Sequence, residues 1–163
     1  MLNSTNTIAR NFNTGTKKGN LLIYRKDLKK KIPVLGKHSK EITCGAWSQD
    51  NRLALGSKDK NLTISTADGD ELERTVLKKE PVEIQFMTKA FNAKQNNNNE
   101  QKNGGGGKVS INMDGQRILL YDLEDPDNPV ELEFQKKYGD IVSYKWFGEG
   151  CVAYNSSNQF IHN

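Results

Sequence analysis

Residues 60–65 read KNLTIS, and the same word, altered but recognisable, stands 41 residues earlier as GNLLIY at 19–24. A recurrence of about 40 residues is the period of a four-stranded propeller blade. The neighbouring runs keep the same step. ITCGAW ends at Trp47, VEIQF ends at Phe86, 39 residues later, and IVSYKW ends at Trp146, a further 60 residues on. The last interval exceeds one blade by roughly twenty residues. The excess falls in KAFNAKQNNNNEQKNGGGG, where an asparagine run meets four glycines. That segment has almost no apolar surface to offset the entropy of ordering, so 89–107 is expected to be a disordered insertion in one loop.

Around these words, short runs rich in β-branched and aromatic residues recur with turn residues between them. They lie at 20–24, 32–35, 42–47, 52–56, 62–65, 72–77, 82–86, 108–113, 117–123, 130–134, 141–146 and 151–155. None holds a 3.6-residue period over ten positions, so the chain is expected to be all-β. The arrangement implied is a partial WD40-type β-propeller, an open arc of about three blades of four antiparallel strands each. The blades fall at about 19–37, 41–78, 81–135 and 140–163, after a divergent segment 1–17. An arc that starts and stops in mid-blade leaves sheet faces meant for neighbours, which is expected of a piece of a longer protein.

Composition limits the function classes. Of 163 residues, 34% are hydrophobic and 27% charged, enough for a core but not for one that fills the whole chain. The net charge of +4 is unevenly spread: residues 1–80 carry sixteen Lys/Arg against nine Asp/Glu, and the remainder eight against eleven. Such polarity steers encounters with charged partners, but no aromatic residues are interleaved with the basic ones as in a stacking platform, so no nucleic acid is expected. The opening MLNSTNTIARNF has no apolar run of a leader, and no stretch reaches the length of a membrane span. Cys44 and Cys151, far apart, form neither a CxxC pair nor a disulfide framework; Cys44 is expected to be a plain core thiol.

His38 is the pivotal residue. In WD repeats a Gly-His pair precedes the first strand of a blade, an Asp sits in the turn between the second and third, and Trp-Asp ends the third. Their purpose is a buried relay in which the carboxylate orients the imidazole, and the imidazole reaches a hydroxyl and an indole. Here Gly36 and His38 form a stretched GKH, and Asp59 holds the turn in GSKDKNL. Leu55 replaces the hydroxyl residue and Ser65-Thr66 replaces Trp-Asp, so the relay should be truncated to His38 and Asp59. In the third blade Tyr121-Asp122 fills the Trp-Asp position, but no Gly-His precedes its first strand, which predicts looser packing there.

The remaining chemistry is thin. His162 is the only other imidazole, so no metal ligand set is expected. A Cys44–His38 catalytic pair would place the thiol in an apolar strand, and GGGGK lacks the Lys-Ser/Thr ending and helix of a phosphate loop. No catalytic residue, metal or cofactor is expected, and the chain is read as a non-enzyme. What remains is surface: a basic turn at 25–31 with Arg25, Lys26, Lys29, Lys30 and Lys31, and an acidic turn at 122–133 with Asp122, Glu124, Asp125 and Asp127. These are the candidate interaction residues, expected on one rim of the arc as a bipolar docking surface.

Particular phrases narrow the reading. GNLLIY, KIPVLGKH, ITCGAW, LALGSKDKNLTIS, DPDNPVELEFQ and YGDIVSYKWFGEG, spread between Lys18 and Gly150, resemble the first propeller of the WD-repeat subunits of intraflagellar transport complex A. The resemblance implies a non-catalytic scaffold of the cilium, with cytoplasmic and cytoskeleton-associated pools. It implies retrograde transport and cargo entry through contacts with other complex A subunits and with ciliary cargo or membrane adaptors. Two alternatives stand beside it: a propeller from another trafficking coat, and an RNA- or phosphoinositide-binding module using the basic cluster.

Overall fold

The computed structural model describes residues 17–25, 29–87, 107–147 and 151–157. The expected disorder of 89–107 therefore lies outside the described residues except at Gly107, as do Lys26, His162 and nearly all of the N-terminal segment. The chain divides into two compact units, Met1–Lys78 and Lys79–Asn163.

In the first unit, β1 (Leu21–Arg25) pairs antiparallel with β2 (Lys30–Val34). A four-stranded sheet follows in sequence order: β3 (Ile42–Trp47), β4 (Leu53–Ser57), β5 (Asn61–Ser65) and β6 (Glu71–Val76). The second unit runs the same programme further. β7 (Pro81–Phe86), β8 (Lys108–Met113), β9 (Arg117–Asp122) and β10 (Asp125–Glu133) form a four-stranded sheet, and β11 (Ile141–Phe147) pairs with β12 (Cys151–Ser156). A short 3-10 turn at Lys136–Tyr138 links them. Consecutive strands paired antiparallel in sequence order, with no crossover within a sheet, make this all-β chain a partial WD40-type propeller.

Burial follows position in the sheet. β4 is buried along its whole length because LALGS is small or apolar on both faces, and β8 likewise after its first residue. The outermost strands β6 and β10 are mainly exposed. Proline marks the edges, with Pro33 in β2 and Pro126 and Pro129 in β10, where a missing N–H breaks no ladder.

Both charged segments are more extended than turns. Lys30 and Lys31 belong to β2, Asp122 ends β9, and Asp125 and Asp127 lie in β10, whose pairing with β9 is interrupted between Asp125 and Val130. The reason is pairing: main-chain hydrogen bonds to β1 and β9 extend the strands past the last apolar residue, which pattern reading takes as the end.

Two cores result. In the first unit Leu21 and Ile23 of β1 meet Leu53 and Leu55 of β4, with Ile32, Val34, Ile42 and Trp47 around them. In the second, Ile118, Ile141 and Tyr144 are the centre, flanked by Leu120, Leu132, Phe134, Trp146 and Val152. Gly69, in the β5–β6 turn at φ +94, lies so close to β2 that a Cβ there would sit 2.7 Å from Val34 Cγ2. The looser packing expected of the third blade is not found: Val109, Ser110, Ile111 and Asn112 have no exposed surface at all. Cys44 is only half-buried rather than a core thiol, since its strand is covered incompletely.

Candidate functional site

The loop between β2 and β3 carries the histidine, and its path is fixed from behind. The Gly36 N–H donates to Asn20 Oδ1 at 2.9 Å, and the His38 N–H donates to the Gly19 carbonyl at 3.2 Å. Gly19 has φ +74, and a Cβ there would lie 2.0 Å from the His38 carbonyl oxygen, so only glycine lets the two backbones approach. The imidazole then points into the sheet. Its Nδ1 lies 3.2 Å from both Asp59 carboxylate oxygens, and its Nε2 lies 3.1 Å from Thr63 Oγ1.

Asp59 is held as firmly. In the β4–β5 turn its carboxylate accepts from the backbone amides of Ser39 at 2.9 Å and Asn61 at 3.0 Å. Ser57 Oγ accepts from the Asp59 amide and donates to the Lys40 carbonyl, both at 3.2 Å. Two loops distant in sequence, 36–41 and 57–61, are thereby tied through one carboxylate.

Burial holds the His38 imidazole below its ordinary value, against the upward pull of the adjacent Asp59. Burial also pushes the Asp59 carboxyl upward, but the Ser39 and Asn61 amides and His38 outweigh it and bring the value down to about 2. At neutral pH the imidazole is therefore neutral and the carboxylate ionised. A carboxylate only accepts, so Nδ1 carries the proton, and Nε2 accepts from the Thr63 hydroxyl.

The relay has three members, not the truncated two. Leu55 does stand where a hydroxyl residue would be, but the function has moved to Thr63, its cross-strand partner on β5. Cross-strand partners share a sheet face, and that relation was available in the alternation of NLTIS. A hydroxyl, an imidazole and a carboxylate in line have the order of a nucleophilic triad. Here the Thr63 side chain is fully buried and the His38 side chain is 0% exposed, so no substrate reaches the hydroxyl. Its hydrogen bonds join the 36–41 loop to the 57–61 turn. Among the described residues no group of three or more His, Cys, Asp or Glu side chains could hold a metal ion.

Beside the relay, Lys37 is 8% exposed, with Nζ donating to the Gly69 carbonyl at 2.8 Å and lying 3.5 Å from Glu71. Arg74 grips Glu71 through Nε and Nη2 at 2.9 and 2.7 Å and reaches the Lys37 carbonyl at 2.8 Å. The histidine loop is thus anchored at both β4–β5 and β6.

The charged clusters fall in different units. Lys29, Lys30 and Lys31 are exposed, and Arg25 stands opposite Lys30 in the β1–β2 register. On the other unit Glu124, Asp125 and Asp127 are exposed, while Asp122 is half-buried, 3.1 Å from Lys108 Nζ. Asp125 Oδ1 accepts from Asn128 Nδ2 at 2.8 Å.

Sheets of four consecutive antiparallel strands, with a His–Asp relay tying the loop before one sheet to its central turn, define a WD-repeat propeller module. Solved propellers agree in fold. The chain superposes on the RRP9 WD40 repeats with TM-score 0.63 at 15% identity, covering 86% of this chain and 39% of that one. It superposes on the β-propeller domain of Cps50 (Swd1) from Myceliophteria thermophila with TM-score 0.56 at 14% identity, covering 81% of this chain and 40% of that one. The chain belongs to the WDR19 first beta-propeller family, whose model matches residues 6–161. It is 44% identical to mouse and 41% identical to human WD repeat-containing protein 19 over 138 residues, 85% of this chain and 10% of each relative. It is 26% identical to the Caenorhabditis elegans WD repeat-containing protein dyf-2 over 147 residues, covering 90% of this chain and 10% of that protein. The chain thus spans about a tenth of the length of these relatives. Its fold is one that generally serves as a non-catalytic protein-interaction module, and no helix among the described residues is long and apolar enough to cross a membrane.

Proposed function

We propose that this chain is part of a non-catalytic scaffold subunit of intraflagellar transport complex A, working in the cilium and at the basal body in retrograde transport and cargo entry. The observation that carries the reading is family membership over nearly the whole chain, at 44% identity to the mouse relative. Its partners are other complex A subunits, together with ciliary cargo or membrane adaptors, and its cytoplasmic pool supplies the cilium. The mechanism is rigid display. Loops 36–41 and 57–61 are fixed by the buried relay before any partner arrives, so binding loses little loop entropy.

The test is affinity purification of the tagged endogenous protein from ciliated cells, with mass spectrometry of what accompanies it. Recovery of complex A subunits is expected; their absence, with the protein itself recovered, refutes the proposal. A second reading rests on the exposed Lys29, Lys30 and Lys31, which could meet phosphoinositide or RNA phosphates. It requires binding to anionic vesicles or RNA that weakens steeply with salt and vanishes when these lysines are neutralised.

A further inference from the structure

The third blade lacks a Gly-His before its first strand, yet its second strand is buried from Val109 to Met113. What occupies the seam between β7–β10 and β11–β12 explains this. Ser110 of β8 faces the next sheet, and its Oγ accepts from the Trp146 indole N–H at 2.8 Å. The same Oγ lies 2.9 Å from the Tyr144 hydroxyl, and that hydroxyl donates to the Ser110 carbonyl at 2.8 Å. The Ser110 hydroxyl proton has two acceptors in reach, the Tyr144 hydroxyl and, at 3.2 Å, the Gln85 carbonyl of the neighbouring strand, while its oxygen takes the indole N–H. Ser110 is 0% exposed and Tyr144 1%.

Two more rungs flank this cluster. Asn112 Nδ2 donates to the Ile141 carbonyl at 3.1 Å, while its Oδ1 accepts from the Gly115 amide at 3.2 Å. Gln85 Nε2 donates to the Tyr144 carbonyl, and the Tyr144 amide donates to Glu83 Oε2 at 3.3 Å. The Asn112–Ile141, Gln85–Tyr144 and Glu83–Tyr144 bonds each join one sheet to the other, whereas the relay around His38 joins turns through a single carboxylate.

We infer that Ser110, Tyr144 and Trp146 form a hydroxyl-centred lock that fixes how β11–β12 seats on β7–β10, taking in this unit the positioning role that the histidine relay has in the other. The physical reason for a lock rather than a mere contact is directionality. An apolar seam tolerates sliding by a few tenths of an ångström, but buried donors and acceptors are satisfied together only in one seating. Tyr144 also belongs to the apolar cluster with Ile118 and Ile141, so the same side chain packs and orients.

The experiment is hydrogen–deuterium exchange on the full chain in wild type, Ser110→Ala, Trp146→Phe and the double variant. Ser110→Ala should raise exchange of peptides covering 141–147 and 151–156 by about tenfold, leaving 42–76 unchanged, because it strands the buried indole N–H and removes the hydroxyl contact to Tyr144, whose own O–H keeps the residue-110 carbonyl. Trp146→Phe keeps most of the packing and should give a smaller rise. In its background the serine replacement should add less than it does alone, the sign that the two share one interaction. Unchanged exchange in Ser110→Ala, or strictly additive effects, would overturn the lock. Should Ser110→Ala fail to fold, Tyr144→Phe against Trp146→Phe provides the same coupling, and independence of those two would overturn it equally.

Discussion

Thr63 and His38 can be removed with different consequences, and the difference tests the relay. Thr63→Val keeps the shape of the side chain and strands only Nε2, so a loss of about 1 kcal/mol is expected. His38→Ala strands the Thr63 hydroxyl, removes one of the donors to Asp59 and opens a cavity, and should cost about 2–3 kcal/mol; urea unfolding of both variants checks the order. Ser65 provides the opposite case. It stands where a repeat of this class carries Trp, is fully buried, and its Oγ has no hydrogen-bond partner among the described residues. Ser65→Ala should therefore be neutral or stabilising by up to about 1 kcal/mol in the same measurement, because it removes an uncompensated polar group.

Titration at these residues gives stability a definite pH dependence. The folded His38 takes its proton less readily than the unfolded chain, whose ordinary value is 6.5. Below that value the unfolded state binds the extra proton, so stability falls as the pH drops through 6.5. Asp59 acts lower: its folded value of about 2 lies under the ordinary 3.8, so its contribution is complete above 3.8 and disappears as the pH falls through about 2. Denaturation midpoints across this range should decline in two stages, and His38→Ala should abolish the upper one.

At the scale of the element, β4 shows how one substitution redirects a whole sheet face. Leu55 is completely buried against Leu21, Ile23 and Leu53, so the position that would carry a relay hydroxyl is committed to the apolar core. Leu55→Ser, which would restore the repeat pattern, should destabilise by about 2–4 kcal/mol, because it removes a side chain packed with Leu21, Ile23 and Leu53 while Thr63 already fills the imidazole's second bond. A thermal melt with no loss would show that the pattern position, not the core, governs this strand. In the second unit the face of β8 turned toward β11 carries Ser110 and Asn112, and polar rungs take the place of leucines.

For the whole molecule, the charged clusters and the rigid loops make separate claims. If partners are recognised by the scaffold, neutralising Lys29, Lys30 and Lys31 to glutamine should leave co-purification of complex A subunits essentially unchanged. Quantitative mass spectrometry of the tagged variant reads this directly, and loss of the partners would transfer recognition to the basic segment. Exposed charges in isolation contribute little energy, which is why the loops held by buried bonds are given the larger role.

The sequence by itself determined the repeat and the strands. KNLTIS against GNLLIY set the period, and the apolar runs located the strands among the described residues to within about two residues, except that β10 begins five residues before its apolar run, because alternation and turn chemistry are local properties. It also brought His38 and Asp59 together, since their spacing is fixed by one turn and one loop. Only the tertiary structure decided the rest. Thr63 joins the relay because two strands lie side by side, and Ser110 meets Trp146 because two sheets do, across 36 residues of chain. A hydroxyl in a strand has the same local signature whether it faces an imidazole, an indole or nothing, as Ser65 does, and packing alone selects among them.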